Sequence, residues 1–181
     1  MSSISSARRA APLRRACSLA AALALVACSP DSSRHPLAPP TQVLSTANVA
    51  LPLHGTVDMT TKSMQPLGPS SAFAYSEGTG TATHLGRFTA SSDLTVDFAT
   101  LAGISRWTLT AANGDVLTAT TTGQATPNSD GVTLTVVESA TITGGTGRFA
   151  GATGSFRLEC LSNQATGVST GSFDGIITLA K

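Results

Sequence analysis

Apolar and polar residues alternate along most of the chain after residue 50, and this period of two predicts β-strands. The clearest run is VTLTVVESATIT, residues 132–143, whose aliphatic residues share one parity while threonine and serine occupy the other. The run RFTASSDLTVDF, residues 87–98, alternates in the same way and puts Phe88 and Phe98 on its apolar side. No window repeats apolar residues at helical spacing over three turns, so the pattern predicts an all-β domain.

The segments between these runs are short and rich in glycine. Asn113-Gly114, between two alternating runs, is the strongest short signal for a β-hairpin. Roughly eight strands joined in this way favour an eight-stranded antiparallel up-and-down β-barrel, because closure removes unpaired edges. A two-sheet β-sandwich is the alternative. A barrel of this size encloses its own side chains or one small ligand.

The segment ITGGTGRFAGATGSF, residues 142–156, matches the dinucleotide fingerprint G-x-G-x-x-G/A from Gly145 to Ala150. That fingerprint binds pyrophosphate only where it opens a helix after a parallel strand. Here more glycines and another alternating run follow, which leaves no room for such a helix. The segment therefore predicts a turn, and we expect no nucleotide or other cofactor.

The N-terminus predicts export. Four arginines precede the uncharged run 16–27, which as a helix spans about 18 Å and is too short for a hydrocarbon layer of about 30 Å. Leu25-Val26-Ala27-Cys28 is similar to a bacterial lipobox, which implies removal of residues 1–27 and fatty acylation of Cys28. An incidental cysteine after an ordinary signal peptide is the alternative.

Three parts of the chain follow: a signal peptide at 1–27, an acylated and proline-rich tether at 28–50, and a barrel domain at 51–181. The acyl chains would hold the protein permanently on the membrane of the cell envelope. Ser29 after the cysteine would indicate outer-membrane sorting in a Gram-negative cell.

Charge and cysteine content limit which partners, disulfides and metal sites are expected. Seven basic and ten acidic residues remain after residue 27, a formal charge of −3 without the basic stripe that nucleic-acid binding needs. With Cys17 in the signal and Cys28 acylated, Cys160 has no partner for an intrachain disulfide and is expected to be a small buried hydrophobe. The histidines are widely scattered, so no metal site is expected.

Strand parity gives the candidates for chemistry. Glu138 shares parity with Val136 and Ala140, which points its carboxylate inward unless a bulge intervenes at Val136-Val137. His84 shares parity with Phe88 and would enter the same interior unless Gly86 shifts the register. Such a pair would serve as a general base or orient the polar group of a ligand, and a mutually satisfied buried pair is the alternative.

Three aromatic residues are candidates for contact with a ligand: Tyr75, Trp107 and Phe88. For each of them, ordinary packing in the core is the competing interpretation.

Two glycine-rich segments resemble a known family. GGTGRFAGATG, residues 144–154, is similar to a stretch of plant dirigent proteins, and GTGTATHLGRFT, residues 78–89, resembles bacterial proteins with the allene oxide cyclase barrel-like fold. The resemblance implies an eight-stranded barrel with an apolar cavity, often assembled as a trimer. Thr153 stands where the dirigent motif commonly has arginine, and no catalytic residue of the family is carried over.

The leading expectation for function is binding of a small apolar or aromatic molecule without catalysis. The alternatives are an isomerase or cyclase, or a dirigent-like stereochemical guide, acting on a lipid-derived or phenolic substrate. A structural envelope protein with a filled barrel is the third.

Overall fold

The computed structural model describes residues 49–180, and within them eight strands form one closed antiparallel barrel. Each strand pairs with its neighbours in sequence, and the last strand pairs with the first. This confirms the eight-stranded barrel and excludes the sandwich. The signal peptide and Cys28 lie outside the described residues. The strands are β1 Ala50–Pro66, β2 Ser71–Ala82, β3 Gly86–Asp97, β4 Ala102–Ala111, β5 Val116–Pro127, β6 Thr133–Gly145, β7 Thr153–Asn163 and β8 Val168–Thr178.

Alternation along each strand sends one set of side chains into the barrel. The interior is aliphatic and aromatic in its main part, with Leu53, Leu117 and Ile177 fully buried. Phe173 packs in tilted contact between Phe88 and Phe156, with ring centroids 6.4 and 5.2 Å apart. Each large side chain buried in this way stabilises the fold by about 1.5–3 kcal/mol. The barrel therefore holds together by packing, without a disulfide among the described residues.

One end of the barrel is plugged by its own connections. The segment between β6 and β7 makes a three-residue 3-10 turn at Gly147–Phe149, and Phe149 is fully buried in the core. Gly147 has φ +56°, a conformation that glycine adopts without strain. Leu85, from the β2–β3 turn, joins the same core. The glycine segment therefore turns a corner, as the sequence predicts, and no longer helix begins there. The structure adds that this segment closes the end of the barrel.

The opposite end of the barrel is less completely closed. Leu94, Val96, Leu134 and Val136 have inward parity near this end, yet they are only half-buried. We call this end the mouth and define it by the four turns 67–70, 98–101, 128–132 and 164–167. The interior is therefore least shielded from solvent at the mouth.

The mouth contains one clear departure from the sequence pattern. Phe98 was expected on the inner face of β3, but the strand ends at Asp97 and Phe98 lies in the following turn, 48% exposed. The Asp97 carboxylate accepts hydrogen bonds from the backbone N–H groups of Ala99 and Thr100. This local turn competes successfully with continuation of the strand.

No helix among residues 49–180 is long and apolar enough to cross a membrane.

Candidate functional site

Glu138 lies inside the barrel, as its parity predicts. Its strand keeps an unbroken register with both neighbours at this position, opposite Gly123 of β5 and Leu158 of β7. The register shift in this part of the sheet is at Thr118–Ala119, away from Glu138, so no bulge turns the carboxylate outward. The residue is 9% exposed.

The backbone of β5 makes room for this side chain. A Cβ atom added to Gly123 would lie 2.7 Å from Cγ of Glu138 and 3.0 Å from the carbonyl oxygen of Val137. The methylene part of Glu138 therefore lies directly across Gly123. A larger residue at 123 would push the carboxylate out of its present position.

Two buried polar atoms in this region have no hydrogen-bond partner among the described residues: Oε2 of Glu138 and Nε1 of Trp107. Trp107 also points inward, and its indole lies close enough to Glu138 to influence the ionisation of the carboxyl group. A buried polar atom left unpaired costs about 1–3 kcal/mol. Such a cost is tolerated most readily where another molecule supplies the missing bond.

Hydroxyl groups complete the polar part of the interior. The side chains of Ser105 and Thr121 share a hydrogen bond of 2.6 Å, and both are buried. Ser92, opposite Trp107 in the β3–β4 pair, is buried as well. We call Glu138, Trp107, Thr121, Ser105 and Ser92 the inner polar site.

Burial raises the pKa of Glu138, because the barrel interior solvates a carboxylate poorly. The Thr121 hydroxyl and the Trp107 indole act in the opposite direction and lower this pKa in part. The carboxyl group therefore stays protonated to a higher pH than an exposed glutamate. In that state it donates as well as accepts a hydrogen bond.

Cys160 has a protonated thiol. Burial raises its pKa to about 12, and the nearby carboxylates of Glu138 and Glu159 contribute to the rise. A thiol of this kind is neither a nucleophile nor a metal ligand at ordinary pH. This agrees with its interpretation as a small hydrophobe, and no group of metal-ligating side chains occurs in the described part of the chain.

The expected pairing of His84 with Glu138 is wrong. Strand β2 ends at Ala82, and His84 lies in the turn that leads to β3, with a positive φ of 64°. Its Nε2 atom lies 3.0 Å from the carbonyl oxygen of Pro52, a contact outside the inner polar site. The prediction extended the alternation of β3 back into the turn before Gly86, where successive side chains no longer alternate between the two faces of the sheet.

Tyr75 lies on the outer face of the barrel and does not line the interior. Its neighbours in sequence, Ala74 and Ser76, have the inward parity of β2, and Tyr75 donates a hydrogen bond of 2.8 Å to Glu77 on the outside. The contact with Glu77 raises the pKa of the phenol. The hydroxyl group of Tyr75 therefore has its hydrogen-bond partner on the same strand, two residues away.

Phe88 and Trp107 both point inward but play different parts. Phe88 packs against Phe173 in the apolar core, whereas Trp107 belongs to the inner polar site. Sequence reasoning missed Ser92, Ser105 and Thr121, because threonine and serine were expected on the outer face. Their parity was the available signal: Ser92 shares the parity of Ala90 and Leu94, and Ser105 shares that of Trp107.

A separate groove of about 670 Å³ crosses the outer face of β7, β8, β1 and β2. In it Nδ1 of His54 contacts Oδ2 of Asp174, and Arg157 stands beside Asp174 in the sheet. The two paired side chains are 54% and 78% exposed, so water screens their attraction. The groove therefore lacks the desolvated environment of the inner polar site.

Neither a protein-family model nor a curated protein matches the chain. Among solved structures, the chain is similar to the pterocarpan synthase dirigent protein GePTS1, with a TM-score of 0.53 and 16% sequence identity. The match covers 74% of this chain and 86% of that protein. At this identity the likeness concerns the fold: the chain has the eight-stranded barrel of a dirigent protein.

Proposed function

We propose that the barrel binds a small, largely apolar molecule that enters through the mouth and places a polar group at the inner polar site. One observation carries this proposal: the indole N–H of Trp107 and Oε2 of Glu138 are both buried and have no hydrogen-bond partner within residues 49–180. A hydroxyl or carboxyl group on a ligand would accept from the indole and bond to the carboxyl group of Glu138 at the same time. The half-buried aliphatic residues near the mouth, such as Leu94 and Val136, suit the apolar remainder.

Trp107 is the single tryptophan of the chain and therefore reports on its own site. We expect its fluorescence to change saturably when coniferyl alcohol, a phenolic probe, or oleic acid, an aliphatic one, is added. Glu138→Leu introduces an apolar side chain of similar size and removes the hydrogen bond to the ligand. Loss of one such bond, about 1–1.5 kcal/mol, weakens binding roughly tenfold.

The matched control is Glu77→Leu, which removes a carboxylate from the outer face of β2. It should leave binding unchanged. Absence of a saturable signal with both probes, or an equal effect of the two substitutions, would disprove the proposed site.

A second candidate is favoured by the fold. A dirigent protein with the same barrel is named as a pterocarpan synthase, so this chain is a candidate stereochemical guide or cyclase for a phenolic substrate. Glu138, with its raised pKa, would then serve as a proton donor or acceptor beside the bound molecule.

The test is to couple coniferyl alcohol radicals, generated by a one-electron oxidant, with and without the protein. An enantiomeric excess that disappears in Glu138→Gln supports guidance. Racemic product in the presence of a protein that binds the alcohol leaves binding alone as the function.

We also propose that the protein is exported and anchored to the cell envelope through acylated Cys28. This rests on the lipobox-like sequence Leu25–Cys28 and the basic and apolar residues before it. Mass spectrometry of the N-terminal peptide from cell membranes should detect the acyl chains. Cys28→Ser should release the protein from the membrane fraction, and an unmodified Cys28 in the mature chain would refute the anchor.

A further inference from the structure

Exposed apolar side chains concentrate at the mouth. Of the nine large hydrophobic residues exposed among residues 49–180, seven lie in the mouth turns or on strands within three residues of them. We call these seven the apolar rim: Met64, Leu67, Phe98, Ile104, Val132, Leu161 and Val168. Leu67, at 60% exposure, and Phe98 stand in two turns that flank the same opening.

The other two exposed hydrophobic residues, Val49 and Ile176, are at the plugged end. The mouth therefore exposes more large apolar side chains than the plugged end of the same barrel. Scattered single apolar residues are normal on a protein surface, but a ring of them around an opening indicates an interaction site.

The rim carries little charge. The four mouth turns contain one ionisable residue, Asp130, and the strand residues within three positions of these turns add only Asp97. Hydrogen bonds from Thr133 and Val132 lower the pKa of Asp130 and keep it ionised within its own turn. The formal charge around the mouth is thus −2, which is too small to favour a strongly charged partner surface.

We propose that the apolar rim docks the mouth of the barrel on a lipid bilayer with zwitterionic headgroups. Apolar side chains on turns enter the boundary between headgroups and acyl chains, about 5–10 Å deep, without any fixed complementary shape in the partner. A net negative rim gains nothing from anionic lipid, since clusters of lysine and arginine are what attract such lipid.

The path of the chain is compatible with this orientation. β1 begins at the plugged end, so the residues that precede Val49 join the barrel at the end opposite the rim. The 21 residue steps from Cys28 to Val49 reach at most about 75 Å, compared with about 56 Å along the whole of β1. An anchor at Cys28 therefore leaves the mouth free to meet the same membrane.

Docking of the rim does not depend on what the interior binds. It would, however, open the barrel towards the membrane, the phase in which apolar molecules accumulate. The inner polar site is tested by Trp107 fluorescence in the absence of vesicles, so the two proposals fail independently.

The experiment is position-specific, because residues 16–27 are themselves apolar and total binding to vesicles is uninformative. Full-length chains carrying Phe98→Trp or Ile176→Trp are mixed with phosphatidylcholine vesicles whose acyl chains are brominated or unbrominated. The wild-type signal of Trp107 is subtracted. Bromine quenches tryptophan only at close range, so we expect a roughly twofold loss of emission for F98W at interfacial depth and none for I176W.

A second substitution, Leu67→Asp, tests the rim as a unit. In the F98W chain it should abolish the bromine effect while circular dichroism shows an intact barrel. Replacing part of the phosphatidylcholine with phosphatidylserine should not increase quenching.

Equal quenching at both positions, none at F98W, or a gain with anionic lipid would each overturn the proposal. Size-exclusion chromatography identifies the competing occupant. If L67D dissociates an oligomer and the F98W chain shows no bromine effect, the rim belongs to a second copy of the chain and the proposal is wrong.

Discussion

Glu138→Gln tests the electrostatic cost of the inner polar site. The substitution preserves the shape of the side chain that lies across Gly123 and removes its ability to ionise. An amide oxygen accepts hydrogen bonds as a carboxylate oxygen does. The main difference between the two proteins is therefore the burial of a charge.

The expected gain follows from the desolvation of the carboxylate. At a pH at which wild-type Glu138 is ionised, the folded protein holds a buried and incompletely paired charge, which costs about 1–3 kcal/mol. We expect E138Q to be more stable by this amount, with an unfolding midpoint higher by roughly 4 °C per kcal/mol.

The sign of the pH dependence is fixed by the raised pKa. An unfolded chain titrates Glu138 near 4.5, whereas the folded chain titrates it at higher pH. Below the unfolded value both states are protonated and the penalty is absent. Above the unfolded value the unfolded chain ionises Glu138 in water at no cost, whereas the native state must ionise it while buried. The free energy of unfolding therefore falls as pH rises towards the folded pKa and stays low above it.

Urea unfolding of both proteins at several pH values is the appropriate assay. The difference in free energy of unfolding should be near zero at about pH 4 and reach its maximum above the folded pKa, with an unchanged denaturant slope. Other carboxylates, Asp130 included, make the same contribution to the free energy of unfolding in both proteins, so their titration cancels in this difference. If E138Q is less stable at neutral pH, or the difference is the same at every pH, then Glu138 is solvated or well paired and the argument fails.

Three further predictions test the packing of the barrel interior. Gly123→Ala should destabilise the fold by about 1–3 kcal/mol in urea unfolding, because its Cβ would lie 2.7 Å from Cγ of Glu138, whereas Gly68→Ala, with a nearest contact of 3.4 Å, should be almost neutral. Phe149→Ala should cost about 3–5 kcal/mol and lower the thermal midpoint, since it removes the plug of the barrel. Peptide mapping after iodoacetamide treatment at mildly alkaline pH should show Cys160 reacting about a thousandfold more slowly in the folded than in the unfolded chain, because its pKa rises from 9.0 to about 12, and comparable rates would contradict its burial.

The sequence was sufficient for the architecture because each strand is long and alternates cleanly. Parity along 132–143 placed Glu138 inside the barrel, and Asn113-Gly114 located a hairpin that the structure contains between β4 and β5. These features depend on local geometry alone. They hold wherever the register is continuous.

The errors lie where a strand ends. His84 and Phe98 both follow the apolar parity of β3, but each lies in a turn beyond the strand itself. Asp97 ends β3 through its own hydrogen bonds to the backbone, a competition that alternation does not reveal. The proximity of Trp107 to Glu138 could not be predicted from the sequence either, because the two side chains come from β4 and β6, which are not adjacent in the sheet.

The seam between β8 and β1 has a consequence for biogenesis. Ala50 pairs with Thr178, so the ring closes only when the whole of β8 has emerged from the ribosome or the translocation channel. Until then β1 and β7 expose unpaired edges, which are templates for aggregation. A chain shortened by β8 should therefore form inclusion bodies instead of a smaller soluble sheet.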